Sequence, residues 1–133
     1  MAKVYIGIGI VIILITVAFL FRTTMQPSPA TIQKVSGSSF SQLLQENPQG
    51  ILIDVRTPEE FSAGHINGAR NIDFYESTFE AQIAALDPAA QYFVYCRSGS
   101  RSASAVAVMK SHGIQRIVEL AGGVAGNPSL IQK

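Results

Sequence analysis

The sequence predicts an open α/β sheet of parallel strands with helices packed on both faces. Three observations lead there. From about residue 31 onward, short apolar runs alternate with helix-like stretches, the pattern that builds βαβ units. One of those runs, Ile51-Leu52-Ile53-Asp54-Val55, is almost continuously apolar, as a strand buried on both faces of a parallel sheet must be. The chain's one cysteine, Cys96, stands directly between an apolar run and a helix start. In open α/β sheets, sites form beyond the carboxyl ends of the strands.

A different kind of segment precedes that domain. Val4 to Phe21 is an 18-residue run without a charge, and thirteen of its residues are Ile, Val, Leu or Phe. As a helix it would extend about 27 Å, close to the hydrocarbon thickness of a bilayer. Tyr5 sits near one end, where an interfacial aromatic is expected. The competing reading is a cleaved signal peptide. Against it, the run exceeds a usual signal h-region and Arg22 ends it abruptly. The best small-residue site, Ser28-Pro29-Ala30, lies far downstream and contains a proline. Residues 1–22 are therefore expected to form an uncleaved transmembrane anchor. Residues 23–30, rich in Thr, Ser and Pro, read as a tether, which leaves 31–133 for the domain. Lys3 on one side and Arg22 and Lys34 on the other hardly decide the orientation. The very short N-terminal tail leans toward an extracytoplasmic domain.

Within the domain the elements follow in order. Thr31 to Val35 suits a short edge strand. Ser39 to Asn47 carries Phe40, Leu43 and Leu44 at helical spacing and stops before Pro48, which disfavours helix in the residue preceding it. Ile51 to Val55 is the buried strand. In Thr57-Pro58-Glu59-Glu60, Thr57 can cap, Pro58 suits the first helical position and Glu60 completes a capping box. That helix is short, because Gly64 follows at once. Ala69 to Asp73 reads as a third strand. Ser77 to Leu86 reads as a helix with Phe79, Ile83 and Leu86 inward, broken by Asp87-Pro88. Gln91 to Tyr95 is a strand. Ser102 to His112 is a helix offering Ala105, Val106, Val108 and Met109 to the core, with Gly113 closing it. Ile117 to Leu120 is the last strand, and Ala121-Gly122-Gly123 turns the chain.

Composition excludes several classes of function. Setting aside Lys3 and Arg22 leaves 10 − 2 = 8 basic residues against 9 acidic ones, so no basic face for nucleic acid is expected. A single cysteine allows no intramolecular disulfide, and there is no CxxC or Cys/His cluster for zinc. Neither a metal nor a cofactor is expected.

The chemistry concentrates in Tyr95-Cys96-Arg97-Ser98-Gly99-Ser100-Arg101-Ser102. A strand that ends in a tight polar loop and feeds a helix converges unpaired N–H donors and the helix dipole on one point, which makes an anion site. Cys96 stands at its mouth, and cationic neighbours such as Arg97 and Arg101 lower a thiol pKa and favour the nucleophilic thiolate. The plainer alternative is a small buried hydrophobe. It fits poorly here, since Gly99 permits loop shapes other residues resist and no apolar residue follows Cys96 until Ala103. For Arg97 and Arg101 the alternative is solvated surface charge.

Four blocks carry a family resemblance: Asp54-Val55-Arg56-Thr57-Pro58-Glu59-Glu60-Phe61, Gly64-His65-Ile66-Asn67-Gly68-Ala69, Tyr95 to Ser102, and Leu120-Ala121-Gly122-Gly123. Together, and in this order, they resemble a single-domain rhodanese, over about residues 31 to 126. The resemblance implies a five-stranded parallel sheet and a sulfurtransferase of the thiosulfate type, with a persulfide on Cys96. The small molecules are then a sulfur donor and an acceptor such as cyanide or a thiol. Residues 97–102 would bind substrate, through backbone N–H groups that stabilise the anionic sulfur and through Arg101, which orients the donor. Asp54 and Arg56 are expected to be structural, as a strand-end carboxylate and its ion-pairing partner. His65 is a general-base candidate or a hydrogen-bonded loop histidine, and the loop reading suits a mechanism that requires no histidine. One departure stands out. Rhodaneses commonly follow the double glycine with a Trp-containing helix, whereas this chain has Gly-Val-Ala-Gly-Asn-Pro and no tryptophan, so a shortened C-terminal helix is expected. Two other functions compete: a persulfide relay or non-catalytic module serving a protein partner at the membrane, and a phosphatase or arsenate reductase on the same fold.

Overall fold

The apolar runs become the strands β1 (Thr31–Val35), β2 (Ile51–Asp54), β3 (Arg70–Asn71), β4 (Tyr92–Tyr95) and β5 (Arg116–Leu120). The computed structural model describes residues 30–132. The strands form one sheet in the order β1-β5-β4-β2-β3, every pairing parallel. This is the five-stranded sheet that the resemblance implied. The helices α1 (Gly37–Glu46), α2 (Pro58–Ser62), α3 (Phe79–Ala84) and α4 (Ser100–Ser111) occupy the connections, and α5 (Gly123–Gly126) follows β5. A parallel pair needs such crossovers.

Strand alternation divides the core into two layers. Ile53, Tyr92, Val94 and Ile117 face Phe79 and Ile83 of α3 and Ala105, Val106 and Met109 of α4. Leu52, Phe93, Tyr95, Val118 and Leu120 face Phe40 of α1 and Val124 of α5. Helices on both faces leave β4 buried along its whole length, and Cys96 follows it directly.

Element ends differ from the sequence reading where caps and edges decide them. The third strand is two residues long, not five, because the chain leaves the edge of the sheet after Ile72 and Phe74 hydrogen-bond to Asp54 and Val55. The helix expected over Ser77 to Leu86 shrinks to α3. The helix expected from Ser102 begins at Ser100, with Gly99 in the left-handed region as its N-cap. The C-terminal helix is short as expected: α5 has four residues, and a 3-10 turn, Pro128–Leu130, follows. The tail then returns to His65, where the N–H groups of His65 and Gln132 donate to each other's carbonyls at 3.1 and 2.9 Å. The expected anchor, residues 1–22, and nearly all of the tether lie outside the described residues. Among the described residues, no helix is long and apolar enough to cross a membrane.

Candidate active site

Gly99 shapes the loop after β4. Its φ of 101° is strained for any residue with a Cβ, and this turn aims its own N–H at the Cys96 sulfur, 3.0 Å away. The Cys96 thiol donates to Ser102 Oγ at 3.6 Å. Cys96 is fully buried, and burial pushes its thiol up. The Ser102 hydroxyl and the N–H groups of Ser102, Gly99 and Ser98 outweigh that effect and hold the thiol below its ordinary value. The sulfur therefore sits in a ring of donors that favours an anion.

A second glycine holds the loop from behind. A Cβ on Gly123 would land on the backbone of Cys96 and Arg97. That close approach lets Val124 and Ala125 donate their N–H groups to the carbonyls of Cys96 and Arg97, at 3.0 and 2.8 Å. The turn after β5 thus fixes the loop after β4, and Gly122-Gly123 is part of the site's frame.

The site residues expected from the sequence separate into three groups. Cys96, Ser98, Gly99 and Ser102 come together around the sulfur. Arg97 and Ser100 are exposed, and Arg97 lines an open pocket of about 320 Å³ with Arg56, Glu60, Ala63, Val124 and Ala125. Arg101 is turned to Glu60, to whose carboxylate it donates two hydrogen bonds, at 2.7 and 2.9 Å. That pair pulls the Glu60 carboxyl down to about 2 against the penalty of burial. The Arg101 guanidinium also lies 5.5 Å from the centre of the Tyr75 ring, and Tyr75 is strongly exposed.

Asp54 and Arg56 pair with each other. Both are buried, and Arg56 donates to Asp54 Oδ2 at 2.6 Å and to the Gly64 carbonyl at 2.8 Å. The pair ties the end of β2 to the Gly64 loop. His65 stacks on Phe61 with ring centroids 3.9 Å apart, and its Nδ1 lies 3.0 Å from the Phe61 carbonyl. Both contacts tie it to the neighbouring helix α2. Among the described residues no cluster of His, Cys, Asp and Glu could hold a metal ion.

Sequence reasoning missed three site residues. Glu60 was read only as a capping residue. Glu119 of β5, which accepts the Ser102 hydroxyl at 2.8 Å, and Lys34 of the edge strand β1, which pairs with Glu119 at 3.0 Å, carry no such reading in the sequence. Glu119 did carry a signal, because it is the one charged residue within Ile117-Val118-Glu119-Leu120, where every neighbour is apolar. A charge in a buried strand needs a partner.

The chain is similar to known proteins in sequence and fold. The rhodanese-like domain family matches residues 36–126. A sulfurtransferase of Allochromatium vinosum is 29% identical over 93 residues, covering 70% of this chain and 85% of that one. The thiosulfate sulfurtransferase GlpE of Pseudomonas aeruginosa is 34% identical over 93 residues, covering 70% of this chain and 81% of its own. The crystal structure of a rhodanese-related protein from Thermoplasma volcanium matches with a TM-score of 0.60 at 28% identity, covering 74% of this chain and 93% of that one.

Proposed function

The chain belongs to the rhodanese-like family, and from that premise we propose that it is a sulfurtransferase carrying a sulfane sulfur on Cys96. One observation carries this reading: the donor ring around the Cys96 sulfur, closed by the Gly99 N–H at 3.0 Å, is built for a sulfur anion. The Cys96 thiolate attacks the outer sulfur of thiosulfate or a similar donor. A bond forms from Sγ to that sulfur, the donor's S–S bond breaks, and sulfite leaves with the electron pair. The outer sulfur of the Cys96 persulfide then accepts attack by a thiolate or cyanide, and the Cys96 thiolate is regenerated. The N–H groups of residues 97–102 stabilise the anionic sulfur in both states, as oxyanion-hole donors do for oxygen. Arg101 orients the anionic donor by exchanging part of its bond to Glu60, and Arg97 adds positive potential at the pocket.

Under the same proposal, residues 1–22 anchor the domain to a membrane through the 23–30 tether, and the acceptor there is a small thiol or a protein. A persulfide relay to such a protein partner is the second reading, and the buried position of Cys96 favours an acceptor that opens the loop. A phosphatase reading fits less well. Four residues separate Cys96 from Arg101, and Arg101 faces Glu60, not the loop centre. Ser102, one position further on, is buried and bonded to Glu119 and can make no bidentate clamp on an oxyanion.

The test is the intact mass of the full-length protein after exposure to thiosulfate. We expect one added sulfur, absent in Cys96→Ser, and thiocyanate on addition of cyanide. A persulfide that forms but passes to neither cyanide nor small thiols selects the relay. Sulfur transfer that persists in Cys96→Ser overturns the assignment.

A further inference from the structure

Ser102 has one proton and three neighbours that want it. Its hydroxyl lies 2.8 Å from Glu119 Oε1, 3.1 Å from the Gly99 carbonyl and 3.6 Å from the Cys96 sulfur. A charged carboxylate is the strongest acceptor of the neutral-state set. With its proton on the bond to Glu119, Ser102 turns a lone pair to Cys96, accepts the thiol hydrogen and favours the neutral thiol. Turned the other way, the same hydroxyl donates to the thiolate or persulfide. What decides between the two is how strongly Glu119 attracts the proton.

Glu119 is buried in β5, and Lys34, its register partner on β1, places its Nζ 3.0 Å from the same Oε1 that accepts from Ser102. The ammonium also lies 3.8 Å from the point a Cβ on Gly99 would occupy, so it stands beside the loop. It competes with the Ser102 hydroxyl for one oxygen and offsets the carboxylate's charge. The other charged groups facing the loop are already committed or exposed: Arg101 to Glu60, Arg56 to Asp54, with Arg97 in solvent.

We propose that Lys34 and Glu119 are positioning residues that set, through Ser102, how readily the loop holds the Cys96 sulfur as an anion. The inference rests on the reading of Cys96 as the nucleophile. Glu119 opposes the anion, and Lys34 restrains Glu119. The chain of contacts runs from the edge strand β1 through β5 to α4 and the catalytic loop, so the first strand of the domain has a part in the chemistry at its centre.

Because Cys96 is the chain's one thiol, the pH dependence of iodoacetamide alkylation of the full-length protein reads it alone, with no sulfur donor present. We expect the midpoint to move to lower pH in Glu119→Gln and to higher pH in Lys34→Gln, with Lys34→Arg close to the parent. In a Ser102→Ala background, Glu119→Gln should shift the midpoint much less than in the parent. Lys34→Gln leaves the buried carboxylate in place, so the proposal stays testable if Glu119→Gln fails to fold. Unmoved midpoints in Lys34→Gln overturn it. So does a Glu119→Gln shift that Ser102→Ala leaves undiminished, since the carboxylate would then act without Ser102. If the midpoints shift as expected while thiosulfate adds no sulfur, the positioning pair stands and the sulfur-transfer reading fails.

Discussion

Glu60 does two jobs with one carboxylate. Its Oε2 accepts the Thr57 N–H at 3.1 Å as the capping-box partner of α2, and both oxygens hold Arg101. Glutamine at the same position still completes a capping box but carries no charge for Arg101. We expect Glu60→Gln to lower KM for thiosulfate by freeing Arg101, and Arg101→Ala to raise it. Losing a hydrogen bond to a charged group costs about 1.5–3 kcal/mol, roughly ten- to a hundredfold in KM. Steady-state kinetics decide this, and an unchanged KM in both variants would make Arg101 a bystander. Stability gives a separate reading. The Arg101 hydrogen bonds, against desolvation, hold Glu60 near 2 from an ordinary value of 4.5. A depressed carboxyl stabilises the fold above its ordinary value and loses that contribution as pH falls through its folded value. The parent should therefore exceed Glu60→Gln by about 1 kcal/mol at neutral pH, as a partly exposed pair allows. That margin should disappear by about pH 2, in urea titrations at each pH. Asp54→Ala is harsher, because it strands Arg56 in the interior. Its cost should be about 3–5 kcal/mol in the same titration.

At the scale of elements, the site depends on two turns that dock at their backbones. Gly123 has a φ of 56° and no room for a side chain against Cys96 and Arg97. We expect Gly123→Ala to push the β5–α5 turn off the catalytic loop, costing more than about 1 kcal/mol and slowing sulfur transfer. Gly113→Ala, also left-handed but with nothing within 4 Å of the added carbon, should cost about 1 kcal/mol and leave transfer unchanged. Comparing the two by thermal unfolding and by turnover separates backbone strain from docking. The same contrast explains what the sequence could reveal. β2 and β4 are legible because burial on both faces leaves almost nothing but apolar residues. α2 is legible because Thr57, Pro58 and Glu60 are a purely local signal. β3 is not, since two residues at an edge carry no period. The start of α4 was misplaced because its cap is the backbone shape of Gly99, with no capping side chain to announce it. Cys96 and its loop were readable as one contiguous stretch. The Glu60–Arg101 pair joins residues 41 apart and Ser102–Glu119 residues 17 apart, and only the strand order brings such partners together.

For the molecule as a whole, the question is whether the chemistry needs anything before β1. β1 is an edge strand, paired with β5 from Thr31↔Arg116 to Val35↔Leu120, and its Lys34 reaches Glu119 beside the loop. Trimming into β1 would thus remove sheet pairing and the Lys34 contact together. Trimming only the segment before it removes neither. Among the described residues, every core residue of both layers lies at Val35 or beyond. A chain beginning at Ala30 should therefore fold, stay in solution and match the full-length protein in loading sulfur onto Cys96. A chain beginning at Ser36 should lose both stability and thiolate character. If the proposed anchor acts only as a tether, the two longer proteins will differ in one respect: the full-length chain will sediment with lipid vesicles and the trimmed one will not. Aggregation of the Ala30 chain, or a loss of sulfur loading with its fold intact, would show that residues 1–29 pack on the domain or complete its site. Equal sedimentation of the two would rule out the anchor and leave the rhodanese-like domain as it stands.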